Sequence, residues 1–309
     1  MQRDSGSTSP GPVIGAALVL GAASLWGTFG IFAKYLYAAG FETVELASVR
    51  AAVAFIGVAL FALINAARGR GSVRVPLRAL PFFAAYGILG FAFFELVFFA
   101  SMEHTSVAVA VALLYTAPAF VVFMSALLWR ERVDRTRVVS LVMILCGVLL
   151  VTGAAGALVR GTATLSARAL LLGLGAGFGY ALYTMFSKVA MQRHDAVTSL
   201  FWSFLFAAIP LAIAASPVSP FVRAPEHTLL LVMLGIVPTI LPYALYLAAL
   251  RALRASTAAM LASLEPVVAA LLAWALLSEG MDAVQAAGMA LVVGAAVILA
   301  RTEAGRAEG

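Results

Sequence analysis

Apolar stretches of about twenty residues, parted by short polar connections, recur along the whole chain. A helix rising 1.5 Å per residue needs roughly 20 apolar residues to cross the hydrocarbon core of a bilayer. The pattern therefore predicts ten membrane helices, over residues 13–38, 44–66, 78–101, 106–128, 136–155, 167–190, 196–214, 228–250, 256–276 and 283–300. The longest connections carry residues 68–78, 156–166 and 216–227, too short for a folded domain outside the membrane. Residues 1–12 read as a disordered cytoplasmic N-terminus and 301–309 as a cytoplasmic tail. The run from Val13 to Ala38 exceeds the roughly 7 to 15 apolar residues of a cleaved signal, so it reads as a retained first span.

One span breaks its own pattern. Ser256 to Trp274 is long enough to cross, yet Glu265 and Pro266 stand at its middle. A carboxylate at that depth costs about 2.5 to 3.5 kcal/mol on insertion scales, so it faces a packed interior or a watery cavity rather than lipid. In a continuous helix Pro266 would also leave the carbonyl of Ala262 without its usual donor.

The chain also repeats itself. Gly21–Lys34 aligns with Gly175–Lys188, pairing Trp26 with Tyr180 and Lys34 with Lys188 at an offset of 154. Thr116–Asp134 aligns with the segment that ends at Asp282, pairing Pro118 with Pro266, Glu131 with Glu279 and Asp134 with Asp282 at an offset of 148. Two five-helix halves follow, 13–155 and 167–300, joined by an outer linker at 156–166. Because five is odd, the second half enters the membrane inverted, and inverted repeats place a substrate site near the midplane where broken helices meet.

Composition agrees with a multi-pass membrane protein: of 309 residues, 63% are hydrophobic and 11% charged. With the N-terminus inside, fourteen arginines fall in inner segments against three in outer loops, so both termini are expected in the cytoplasm. The net charge of +6 lies in short loops between apolar runs, which argues against nucleic-acid binding. Cys146 is the only cysteine, and His104, His194 and His227 are scattered over both sides, so neither a disulfide nor a shared metal site is expected. Gly173, Gly175, Gly177 and Gly179 read as a close-packing stripe, since no strand precedes them and no Gly-Lys-Ser/Thr follows. No nucleophile, base and orienter fall together and no ATP motif is present, so neither an enzyme nor a cofactor is expected.

Candidate binding residues are the intramembrane acids and the aromatic residues with a polar end. Glu265 is read either as a proton carrier or ammonium ligand, or as a structural acid beside the break. Glu95, set among phenylalanines, is either a similar carrier or the partner of Arg50 or Lys34, and Arg50 could hold a carboxylate or close an ion pair. Trp26, Tyr86, Tyr115, Tyr180, Tyr183, Tyr243 and Tyr246 could stack on an apolar or aromatic substrate, or settle at membrane interfaces. Tyr180/Tyr183 and Tyr243/Tyr246 are each spaced i, i+3 on one helix face. Pro118, Pro238, Pro242 and Pro266 are candidate gate or helix-break positions, with a packing bend as the alternative.

Leu264-Glu265-Pro266-Val267, the run Leu271 to Glu279 and Trp26-Gly27 resemble the EamA-type transporters of the drug/metabolite transporter superfamily, over about Val13 to Ala300. More closely, the chain resembles the aromatic amino-acid exporters of the YddG type. The resemblance implies an all-α, ten-helix secondary transporter that exports small metabolites, above all aromatic or apolar amino acids, across the bacterial inner membrane by alternating access through a central cavity lined by both repeats. Small-molecule substrate and lipid are the partners so implied, with no obligatory protein partner. Tyr115-Thr116-Ala117-Pro118 carries no acid before its proline, so the two halves do not supply symmetric carboxylates. The alternatives are the same fold with another cargo (a drug, a purine or a nucleotide sugar), or a membrane-embedded sensor or enzyme.

Overall fold

The computed structural model describes residues 11–69, 71–163, 165–278 and 280–308. Its main helices, in chain order, are α1 Pro12–Ala38, α2 Thr43–Ala67, α3 Leu77–Met102, α4 Val107–Trp129, α5 Arg135–Val151, α6 Ala167–Met191, α7 Ala196–Ala214, α8 Pro225–Ala252, α9 Ala255–Leu277 and α10 Ala283–Glu308. Among the described residues, nine of these are long and apolar enough to cross a membrane. The exception is α5, which has 17 residues and ends at Val151 rather than at the expected 155, because Gly153 turns into the left-handed region (φ 72°). A short helix, Ala154–Val159, then occupies the start of the expected linker. At the other end, α10 continues as helix through the expected tail.

Short polar residues start the helices. The side chains of Ser106, Asp134, Ser166, Asp195 and Asp282 each accept from a backbone N–H three residues on, covering donors that a bilayer cannot satisfy. Asp195 also accepts from the Thr198 hydroxyl at 3.0 Å.

The helices run alternately between two faces. On the arginine-rich face, Gly15 abuts Ala252 and Leu253, Ser256 bonds Glu131, and Arg137 meets Glu303. On the opposite face, Ser48 bonds the Ala215 carbonyl, Ser101 reaches that of Ala169, and Gln285 that of Val151. The first half therefore starts on one face and the second on the other.

Packing follows the same exchange. Helix α1 packs on α8 as α6 packs on α3, and α4 packs on α6 as α9 packs on α1. The α2–α7 and α5–α10 contacts map onto themselves. Local irregularities recur too. Helix α4 breaks between Leu114 and Ala117 and α9 between Ala262 and Glu265, while π-helical turns start at Ile88 in α3 and Ile236 in α8, each pair 148 apart. Left-handed residues end both broken helices, Arg130 and Ser278, again 148 apart.

The halves differ in burial. In the first part of α9 all eight residues, Ala255–Ala262, are buried, whereas its counterpart Val107–Leu114 buries only Val109, Ala110 and Ala112. Ala255 is 0% exposed and its counterpart Val107 60%. The first half of α9 is thus packed within the protein near the arginine-rich face, while its counterpart in α4 is exposed near the opposite face.

Helices α5 and α10 meet on glycine. A Cβ at Gly288 would stand 2.7 Å from the Gly147 carbonyl oxygen and 2.7 Å from the Val151 nitrogen, both backbone atoms that cannot swing aside. Gly288→Ala is therefore expected to lower stability by about 1 to 3 kcal/mol. Gly30→Ala, which would meet open space, serves as control. Thermal unfolding in detergent checks the pair, and equal melting temperatures would contradict the close contact.

Candidate functional site

The break in α9 positions its acid. Ser263 and Leu264 form a tight turn, their N–H groups bonding the carbonyls of Met260 and Leu261, and a new helix begins at Glu265. Pro266 occupies the first turn of that second piece, where no intrahelical donor is required. The expected hydrogen-bond gap inside a continuous helix is thus replaced by a full break, and Pro118 holds the same position in α4. Glu265 sits at a helix N-terminus, where the dipole favours negative charge. Its carboxyl lies close to the hydroxyl of Tyr115 in α4.

Pro238 and Pro242 lie in and just after the π-helical turn of α8. Pro238 removes the N–H that the Leu234 carbonyl would use, and the Thr239 hydroxyl donates to that carbonyl at 2.9 Å instead. The loosened turn leads straight into Tyr243, which points to the centre.

There Arg50 of α2 forms an ion pair with Glu95 of α3 at 3.1 Å. Of the two readings of Glu95, the pair with Arg50 is the one observed. The guanidinium lies 5.0 Å over the ring of Phe29 and close to the Tyr243 hydroxyl, and its field extends to Glu265. Glu95 and Tyr243 occupy matching positions of the two halves, since 243 minus 95 is 148. One half gives Arg50 a carboxylate and the other a phenol. Beside the pair lies a cavity of about 10 Å³, lined by Ala47, Ala51, Phe91, Thr239 and Tyr243 and sufficient for about one water.

Tyr180 and Glu265 lie deep among the helices yet are only half-buried. Towards the arginine-rich face the centre is closed by an aromatic floor. Trp26 lies 5.3 Å from Tyr243 and 5.4 Å from Tyr246, Phe91 4.9 Å from both Tyr183 and Tyr243, and Tyr86 stacks on Phe186 at 5.9 Å. Tyr86 bonds Ser187 and Tyr246 bonds Thr184, while the buried Tyr183 hydroxyl has no partner. Below the floor a separate cavity of about 410 Å³ opens on the arginine-rich face, lined by Asn65, Ser72, Asp195 and Arg251 among others.

The structure thus sorts the expected residues into two layers. Glu95, Tyr243 and Glu265 gather around Arg50, Tyr115 and Tyr180 lie beside Glu265, and Trp26 packs on Tyr243. Tyr86, Tyr183 and Tyr246 are fully buried in the floor, where no solute touches them in this conformation. The sequence reading passed over Phe29, although the repeat alignment pairs it with Tyr183 (183 minus 29 is 154). Among the described residues no cluster of His, Cys, Asp or Glu could hold a metal ion.

Breaking a mostly buried ion pair leaves an uncompensated charge, at a cost of about 3 to 5 kcal/mol. Arg50→Gln alone and Glu95→Gln alone are each expected to lower stability by about that much, and the double variant to recover most of it. Denaturation of the three variants in detergent checks this. Additive losses would show that the pair is not coupled.

The model of the EamA-like transporter family matches the chain twice, over residues 13–153 and 167–301. An uncharacterized transporter of Archaeoglobus fulgidus is 28% identical over 284 residues, covering 92% of this chain and 94% of its own. The uncharacterized inner membrane transporter YicL of Salmonella typhimurium is 24% identical over 287 residues, covering 91% and 93%. A solved crystal structure, 21% identical, superposes with a TM-score of 0.72 over 93% of this chain and 98% of that one, a likeness of fold.

Proposed function

The chain belongs to the EamA-like transporter family, and on that premise we propose that it exports amino acids with apolar or aromatic side chains across the inner membrane by alternating access. The observation that carries this reading is the Arg50 guanidinium paired with Glu95 against the Phe29 ring, with Glu265 within its field. An amino acid brings one ammonium and one carboxylate. The ammonium fits Glu265 and the Tyr115 hydroxyl, and the carboxylate fits Arg50, whose planar fork suits bidentate binding. The apolar side chain rests on Tyr180, Trp26 and Tyr243.

The floor of Tyr86, Tyr183 and Tyr246 closes the path on one side while the site is open to the other. Exchange of roles between the two inverted halves moves the opening. With both termini in the cytoplasm, the arginine-rich face is cytoplasmic and the open side is external. Glu95 and Glu265 are the groups able to carry a coupled proton. The resemblance to aromatic amino-acid exporters supports the cargo. A nucleotide sugar fits less well, because its diphosphate calls for several cations and the centre offers Arg50.

Liposomes holding only this protein are expected to take up labelled phenylalanine saturably down its gradient. Glu265→Gln should raise the half-saturating concentration about tenfold or more, as expected for losing a charged hydrogen-bond partner. Repeating the assay with a pH gradient tests coupling. If no amino acid moves under either condition, the cargo assignment fails.

A further inference from the structure

The closed face is held by charge as well as by packing. Arg137, in the first turn of α5, is buried, with its side chain 3% exposed. It donates to the Arg132 carbonyl at 3.0 Å and lies 3.6 Å from Glu131, which follows α4, and 3.5 Å from Glu303 on α10. The same two carboxylates accept from the start of α9. Ser256 bonds Glu131 at 2.5 Å and Thr257 bonds Glu303 at 2.9 Å. Alongside, the Lys188 ammonium at the end of α6 donates to the carbonyls of Leu250 and Leu253 at 2.6 and 2.7 Å, which ties down the turn between α8 and α9, and Glu131 attracts it. Four helices and the loop after α4 are thereby fastened around the buried first half of α9.

The repeat shows what the opposite face has in the same places. At the offset of 148, Arg137 corresponds to Gln285, Glu303 to Ala155, Ser256 to Ala108 and Thr257 to Val109. Gln285 serves its own helix start, exchanging bonds with Asp282 and reaching the Val151 carbonyl. Glu303 exists as a latch residue because α10 continues as helix past the point where α5 stops at Gly153. The counterpart of Glu131, Glu279, lies outside the described residues.

We propose that Glu131, Arg137, Glu303, Ser256 and Thr257 form a one-sided latch that holds the arginine-rich face shut and biases the empty transporter towards opening on the other face. The proposal rests on the alternating-access reading of the fold but not on the cargo, because its test uses no substrate.

The test places single cysteines at the matched positions Ala255 and Val107 in a Cys146→Ala background and follows labelling by a membrane-impermeant maleimide. The reagent is added from the arginine-rich side for Ala255→Cys and from the other side for Val107→Cys. The full-length protein in liposomes is compared with and without Ser256→Ala plus Thr257→Val, which remove two hydrogen bonds to carboxylates without stranding a charge in the way Arg137→Gln would. The latch predicts that labelling at Ala255→Cys rises about tenfold while labelling at Val107→Cys falls. Unchanged labelling at both positions overturns the proposal. A rise at both overturns it as well, because that reports loosening of the fold and not a shift between two states.

Discussion

A guanidinium buried at the centre of a membrane protein sets the terms for everything around it. In a low dielectric an unpaired charge is far costlier than in water, so Arg50 must be matched by groups the protein itself supplies. Glu95 meets it directly at 3.1 Å, Tyr243 supplies a hydroxyl, Phe29 a ring face, and Glu265 a second carboxyl further off. Each arrives from a different helix: α3, α8, α1 and α9. Holding these elements at one point requires the broken and π-helical segments, and these in turn need small residues and glycines where backbones approach.

The two halves solve the backbone problem alike and the charge problem differently. Both break their fourth helix at a proline placed where no donor is lost, and both carry a π-helical turn 148 residues apart. The charges at the centre and in the latch do not follow the repeat. Glu95 corresponds to Tyr243 and Arg137 to Gln285. A fold with near-symmetric helices and asymmetric charges can sit in one of two equivalent arrangements and prefer one, which is what an alternating-access device needs.

Much of this was legible in the sequence. The spans stand out because a bilayer demands some twenty apolar residues, and Pro118/Pro266 and Trp26/Tyr180 revealed the repeat because those residue types are uncommon enough to align. Glu265 was legible because an acid has no reason to lie in lipid. The end of α5 was misplaced, since Gly153 takes a left-handed turn inside an apolar run that reads as continuous. Which tyrosines lie beside Glu265 and which fill the floor was hidden, because Tyr180 and Tyr183 share a helix face and differ only in what α3 and α8 place against them. The latch was hidden for the same reason: Glu131 and Ser256 are 125 residues apart, and each reads alone as an ordinary loop or helix-end residue.

The central claim is that Arg50 and Glu265 read the two charges of one small zwitterion. It is tested most directly by competition against labelled phenylalanine on the purified protein, using phenethylamine, which lacks the carboxylate, and 3-phenylpropionate, which lacks the ammonium. The account predicts that each binds at least about tenfold more weakly than phenylalanine, since each forfeits one charged contact in a site that keeps the other. Equal competition by either analogue would contradict it.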